Sequence, residues 1–192
     1  FRQTVDEYTD AVAALAAQLM GALALGLGLE EDAFREAFRP QTSFLRLNHY
    51  PPCPEGGHFA VNHHTDAGAL TVLLQDDDVV SLQVWQDQRG KWVSIAPVPN
   101  AFTINIGDMM QQVWSNDLYR APEHRVLTQP SAERFSAPFF YNPSTAADRC
   151  RRSNANVNYK KINWGEFRHR RFEGDYADVG TEVQIEHYRL TV

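Results

Sequence analysis

The hydrophobic pattern of this chain changes period twice. Val5, Tyr8, Val12, Leu15, Leu19 and Leu23 recur at steps of three and four, the spacing of a single apolar stripe on an α-helix. Gly26 and Gly28 end that segment. A shorter helix is expected around Asp32 to Phe38, stopped by Pro40. From Thr42 the period drops to two. Ser43–Tyr50, Ala69–Gln75, Leu82–Trp85, Trp92–Ile95, Phe102–Ile106, Met109–Trp114, His124–Leu127 and Phe135–Tyr141 all read as short strands rich in β-branched and aromatic residues. Turn signals such as Pro51-Pro52, Arg89-Gly90, Pro99-Asn100 and Gly107-Asp108 separate them. About eight short strands with frequent turns predict a sandwich or barrel, and a jelly roll has eight. The helical period returns over Trp164–Phe172, followed by a short strand, Val183–Tyr188. The expected organisation is a helical support segment over 1–40, a β core over 41–146 and a tail over 147–192.

Length and composition narrow the class. The chain has 192 residues, enough for one domain with one sizeable core. Its formal charge of -6 offers no broad cationic surface to a nucleic acid or an anionic membrane. The one dense basic run, Arg168-His169-Arg170-Arg171, sits beside Glu166, Glu173 and Asp175 and reads as a solvated helix face. Cys53 and Cys150 are too few for a disulfide framework and form no Cys-x-x-Cys pair, so both are expected as reduced thiols in the cytoplasm. Ala11–Leu29 is apolar but interrupted by Gln18, and is expected to be amphipathic rather than membrane-spanning. No signal peptide is visible. The chain opens on Phe1 rather than Met, so a preceding segment is expected.

The chemistry begins at His64-Thr65-Asp66. Residues two apart on an extended segment point the same way, so an imidazole and a carboxylate can reach one metal ion together. His63 is three residues from Asp66 and faces away. A third ligand must come from another strand, and His124 is well placed. Two histidines and one carboxylate on one face of a metal leave the other positions open, which suits non-haem iron(II) oxygenases. A lone His-x-Asp is a weak signal by itself. Of the other histidines, His58, His169 and His187 are expected at the surface and His49 in a structural role.

Two further groupings gain weight from their position. Arg134 and Ser136 share one face of a strand, opposite Phe135, ten residues after His124. A guanidinium grips a carboxylate with two parallel hydrogen bonds, and a neighbouring hydroxyl adds a third. On the strand before the ligands, Arg46, Asn48 and Tyr50 alternate with Leu45 and Leu47. Periodicity leaves open whether the polar set lines a site or faces water. Trp114, Phe139 and Tyr141 are assigned to the core.

Taken in order, the segments Leu45-Arg-Leu-Asn-His-Tyr-Pro-Pro-Cys-Pro54, His64-Thr-Asp-Ala-Gly-Ala-Leu-Thr71, Gly90-Lys-Trp-Val-Ser-Ile-Ala-Pro97, Asn105-Ile-Gly-Asp108, Glu123-His-Arg-Val126 and Arg134-Phe-Ser136 resemble the isopenicillin N synthase-like family of 2-oxoglutarate/iron(II) oxygenases. The resemblance runs over residues 42–143. It implies a double-stranded β-helix, or jelly roll, with flanking helices, and iron(II) bound by His64, Asp66 and His124. It implies that Arg134 and Ser136 hold the C5 carboxylate of 2-oxoglutarate, that Asn48 and Tyr50 contact the same cosubstrate, and that Arg46 faces the substrate. On this reading the polar set points inward, and Leu45 and Leu47 pack under the N-terminal helix. The tail, Trp164-Gly-Glu-Phe167 with Gly174-Asp-Tyr-Ala-Asp178, resembles the closing segment of microbial and fungal members. Three departures stand outside the ligand set: the further stretch of residues that the family usually carries before the first helix, Val79-Val80-Ser81 where relatives often carry Gly-Gly, and His49 where plant members often carry Tyr. The expected reaction is oxidation of a small organic substrate by dioxygen, hydroxylation by default, with release of succinate and carbon dioxide. The alternatives are an oxidase of the same fold that uses no 2-oxoglutarate, and a non-catalytic metal-binding module.

Overall fold

A computed structural model describes residues 1–55, 57–76, 78–147, 158–177 and 183–190, the side chains of 174–177 excepted. The protein is mainly antiparallel β-sheet with flanking helices. Helix α1 (Arg2–Gly26) comes first. Strands β1 (Phe44–Leu45), β2 (Asn48–Tyr50), β3 (Phe59–His64), β4 (Leu70–Gln75), β5 (Leu82–Gln86), β6 (Lys91–Ser94), β7 (Thr103–Ile106), β8 (His124–Leu127) and β9 (Arg134–Tyr141) follow, and then helix α2 (Trp164–Ala177). One sheet runs β1-β9-β4-β7, with β2 also on β9; the other runs β3-β8-β5-β6.

Helix α1 packs on β4 and β9. The residues it buries are Val12, Ala16, Met20, Gly21 and Ala24. The expected stripe of Leu15, Leu19 and Leu23 flanks that line and is only partly covered. Small residues at the centre let the helix backbone approach the sheet, while Val12 and Met20 each contribute about 1.5–3 kcal/mol by burial. By length and hydropathy α1 would also pass for a membrane span; in this fold its small-residue face lies on the sheet. The core continues into an aromatic group in which Phe38 stacks on Tyr141 at 4.4 Å and also meets Trp114 at 5.5 Å. Trp114, Phe139 and Tyr141 are buried, as the sequence suggests.

Several elements differ from expectation. Met109–Trp114 is not a strand: Met110–Trp114 forms a π-helical turn. The buried apolar residues here, Met109, Met110, Val113 and Trp114, recur at helical rather than alternating spacing, and a short apolar run does not distinguish the two by composition. The segment Ser43–Tyr50 is split into β1 and β2. Arg46 faces Pro138 across the ladder and donates its N–H to the Pro138 carbonyl, but proline has no N–H to return. Strand β3 escapes the pattern reading because Asn62-His63-His64 interrupts its apolar alternation, and its pairing with β8 carries two register shifts. The second helix shrinks to a 3-10 turn, Arg35–Phe38. Val183–Tyr188 is no strand either: Ile185–Tyr188 is a 3-10 turn with Ile185 buried. Cys150 and Asp178 lie outside the described residues.

Candidate metal centre

Three side chains meet where the second sheet opens. His64 ends β3 and His124 begins β8, and the two are direct cross-strand partners. Asp66 follows two residues later in the loop that leaves β3. Its Oδ1 lies 3.6 Å from Nε2 of each histidine, and one ligand atom from each of the three residues falls within 4.8 Å of the others. These residues could hold a metal ion.

The surrounding hydrogen bonds turn the correct atoms inward. His64 Nδ1 donates to the Asn62 carbonyl at 2.8 Å, and His124 Nδ1 donates to the Pro122 carbonyl at 3.0 Å. A carbonyl only accepts, so both rings carry their proton on Nδ1 and leave Nε2 as a lone pair. Asp66 Oδ2 accepts from Thr71 Oγ1 at 2.5 Å and Asn105 Nδ2 at 2.8 Å, which leaves Oδ1 for the metal. Burial lowers the His64 pKa, and the nearby His124 adds to that. Burial alone would raise the Asp66 carboxyl; the two imidazoles and the Asn105 and Thr71 hydrogen bonds outweigh it and hold the group below its ordinary value. Neutral imidazoles and an ionised carboxylate are the forms that bind a cation.

A second layer holds the loop itself. A Cβ on Gly107 would sit 2.2 Å from the Gly68 carbonyl oxygen, so only glycine lets this strand end lie against the Asp66–Gly68 backbone. Asp108 N–H then donates to the Asp66 carbonyl at 2.7 Å. The Asp108 side chain is fully buried, and Arg171 of α2 reaches it at 3.4 Å while donating to the Thr65 carbonyl at 3.1 Å. Burial pushes the Asp108 carboxyl up to about 7 against the pull of Arg171. Thr71, Asn105, Gly107, Asp108 and Arg171 do not stand out as site residues in the sequence. The Asn-Ile-Gly-Asp motif is the available signal, but its job is visible only once β7 lies beside the loop. The basic run on α2 is also not a solvated face. Arg171 is 5% exposed, and Arg168 lies over the rings of Phe44 and Trp164. Only His169 and Arg170 are exposed and paired, with Glu173 and Glu166.

The three metal-binding candidates open into a cavity of about 280 Å³ lined by both sheets. Strand pairing assembles its polar end: Asn48 faces Ser136 and Tyr50 faces Arg134 across the β2–β9 ladder. Asn48 Nδ2 donates to Ser136 Oγ at 3.3 Å, and the Arg134 guanidinium lies 5.0 Å over the Tyr50 ring. Arg134 is 2% exposed, and burial pulls its pKa down. One nitrogen donates to Gln75 Oε1 at 2.9 Å, but among the described residues its Nε and Nη1 have no hydrogen-bond partner. Such orphaned buried donors are costly, and an anionic oxygen entering the cavity would give the guanidinium a partner.

The polar set expected to point inward thus reaches the cavity, with Arg46 at its rim. Leu45 packs against the core, but Leu47 is 56% exposed and stands apart from it. Alternation runs on through this stretch, since Arg46, Asn48 and Tyr50 all line the cavity, so Leu47 points to the other side, where it is left uncovered. His63 points away from the metal group towards Glu123 and Trp92. His49 is half-exposed, bonded to Glu133 and stacked on Phe135.

Comparison with known proteins fits this geometry. Residues 41–143 match the family model described as the 2OG-Fe(II) oxygenase superfamily. The chain is 42% identical over 147 residues to jasmonate-induced oxygenase 2 of Arabidopsis thaliana, an alignment that covers 75% of this chain and 39% of that protein. It is 38% identical to gibberellin 2-beta-dioxygenase 8 of the same plant, over 95% of this chain and 52% of the relative. Among solved structures, JOX2 in complex with 2OG, Fe and JA superposes with a TM-score of 0.85 at 32% identity, over 99% of this chain and 57% of that one. A full-length Neurospora crassa protein in complex with alpha-KG and thymine does so at 0.82 and 28%, over 91% and 57%. The chain spans about two fifths to one half of the length of the curated relatives it matches.

Proposed function

The chain belongs to the 2OG-Fe(II) oxygenase superfamily, and on that premise we propose that it is the catalytic part of a cytoplasmic iron(II)- and 2-oxoglutarate-dependent dioxygenase that hydroxylates a small organic molecule. In this reading the two facing sheets form a double-stranded β-helix, and its mouth carries the site. His64 Nε2, Asp66 Oδ1 and His124 Nε2 hold iron(II) on one face. Arg134 and Ser136 take the distal carboxylate of 2-oxoglutarate, with Tyr50 and Asn48 beside it. Iron and cosubstrate bound there supply dioxygen activation coupled to decarboxylation of 2-oxoglutarate to succinate and carbon dioxide. The chain's own residues do the rest. Asn62 and Pro122 carbonyls keep both Nε2 lone pairs inward, Asn105 and Thr71 keep Asp66 ionised and oriented, and the apolar walls Leu73, Val84 and Ile95 narrow the cavity.

One observation carries the reading: a buried arginine with two unpaired donors faces the same cavity as a His-Asp-His group. The test is anaerobic binding of iron(II) and 2-oxoglutarate, followed by succinate release on admitting oxygen. Iron binding with oxygen uptake but no succinate would indicate the oxidase alternative. Failure to bind iron would indicate a non-catalytic module.

A further inference from the structure

On the α2 side of the metal cavity lies a second, more open cavity of about 630 Å³. Its walls come from β1, β3, the loop carrying Asp66, the end of β9 and α2. Phe44, Phe140, Trp164 and Phe172 give it aromatic surface, and Arg46, Arg168 and Arg171 give it cations. Among the described residues the only carboxylate lining it is Asp66, whose Oδ1 faces the two histidines.

The three arginines differ in how far they are already used. Arg171 is paired with Asp108. Arg168 lies over Phe44 and Trp164 at 5.7 and 5.9 Å, and among the described residues its one polar contact is a long 3.5 Å hydrogen bond to the Thr42 carbonyl. The Arg46 side chain is exposed and has no hydrogen bond or ion pair among the described residues. It also lines the smaller cavity, so it stands at the passage between the two.

Resting on the oxygenase reading, we infer that the outer cavity takes a substrate with an apolar, ring-sized body and a carboxylate, the body against the aromatic wall and the carboxylate between Arg46 and Arg168. The chain as a whole carries a charge of -6, so two guanidiniums on a wall whose one carboxylate among the described residues, Asp66, faces the histidines form a local positive field that draws in anions. A cationic substrate would be repelled, and a neutral one would leave both guanidiniums without a charge partner. Arginine, unlike lysine, offers the planar fork that pairs with a carboxylate. The distal carboxylate of 2-oxoglutarate does not need these residues, because Arg134 already faces its slot from the opposite end of the inner cavity.

A matched pair of probes tests this: 2-naphthoate and 2-naphthamide, with the same ring and with or without the charge. Their binding to the iron- and 2-oxoglutarate-loaded chain is followed anaerobically by fluorescence. The acid should bind at least about tenfold more tightly than the amide. Arg46→Gln and Arg168→Gln should each remove most of that preference while amide binding and the 2-oxoglutarate Kd stay unchanged, and the lysine variants should restore part of it. Both positions are at least partly exposed, and melting curves check that the variants fold. Equal binding of acid and amide by the wild type, or a preference that survives both substitutions, overturns the inference while leaving the oxygenase reading intact. A 2-oxoglutarate Kd that rises in Arg46→Gln also overturns it, by moving Arg46 to the cosubstrate. Failure of the wild-type chain to bind 2-oxoglutarate at all sinks the underlying reading instead.

Discussion

Arg134 permits the most demanding test of the site. Replacing it with Met keeps an unbranched apolar stem and removes the charge. In the liganded state a buried guanidinium–carboxylate pair would be broken from one side, which costs about 3–5 kcal/mol. At about 1.4 kcal/mol per decade, the 2-oxoglutarate KM should rise by roughly two to three and a half powers of ten. Without 2-oxoglutarate the balance differs. Nε and Nη1 are already orphaned in the buried site, so Met removes two unsatisfied donors. Against that, Gln75 Oε1 loses its donor, a penalty of about 1–3 kcal/mol. These changes oppose each other, so the melting temperature without 2-oxoglutarate should move little, and the rise that 2-oxoglutarate induces in the wild type should disappear. Arg134→Lys keeps a charge but not the fork and should fall between the two. The assay is succinate release at saturating iron, paired with thermal melts with and without 2-oxoglutarate. A KM within about threefold of wild type in Arg134→Met, well short of the tenfold that 1.4 kcal/mol gives, would refute the assignment and move the cosubstrate elsewhere.

His64→Ala, Asp66→Ala and His124→Ala should each lose iron in an equilibrium binding assay, whereas His63→Ala should keep it; full iron binding by any of the first three would remove that residue from the set. Asn105→Ala takes a hydrogen bond from Asp66 and should weaken iron binding by about 10–100-fold while leaving the fold intact by circular dichroism. Arg171→Met strands Asp108 in the interior; because that carboxyl is already pushed up to about 7, the loss in denaturant unfolding should approach about 3–5 kcal/mol only well above that pH and shrink as the group protonates, and adding Asp108→Asn should recover part of it. Asp117 gives a pH prediction: burial raises its carboxyl, but hydrogen bonds from Tyr159, Asn158, Gln111 and Arg189 outweigh this and hold it below its ordinary value. A depressed carboxylate stabilises the fold fully above its unfolded value and loses that contribution as pH falls through its native one, so acid should release the Tyr159 and Arg189 contacts, and Asp117→Asn should show no such loss in an acid titration of stability.

The primary structure is most informative where one residue's chemistry speaks for itself. His64, Asp66 and His124 are brought out by the ordered run of motifs that carries the resemblance; the two-residue spacing of His64 and Asp66 agrees with it but is a weak signal alone. Arg134 and Ser136 gain their weight from the same run of motifs, while the aromatic core is legible from its apolar runs. Local pattern alone cannot separate the π-helical turn at Met110–Trp114 from a strand, or reveal β3 beneath Asn62-His63-His64, since polar residues placed there for the site erase the hydrophobic signal that marks a strand. Nor can it tell that Arg171 leaves a charged helix face to hold the loop carrying Asp66, that Gly107 exists for a backbone contact with Gly68, or that Leu47 is left uncovered while Leu45 packs against the core. Those outcomes depend on pairings between segments far apart in the chain. Local periodicity records which side of an element is apolar, whereas only the packed sheets decide which polar group finds a partner, which is left unpaired, and which therefore awaits a ligand.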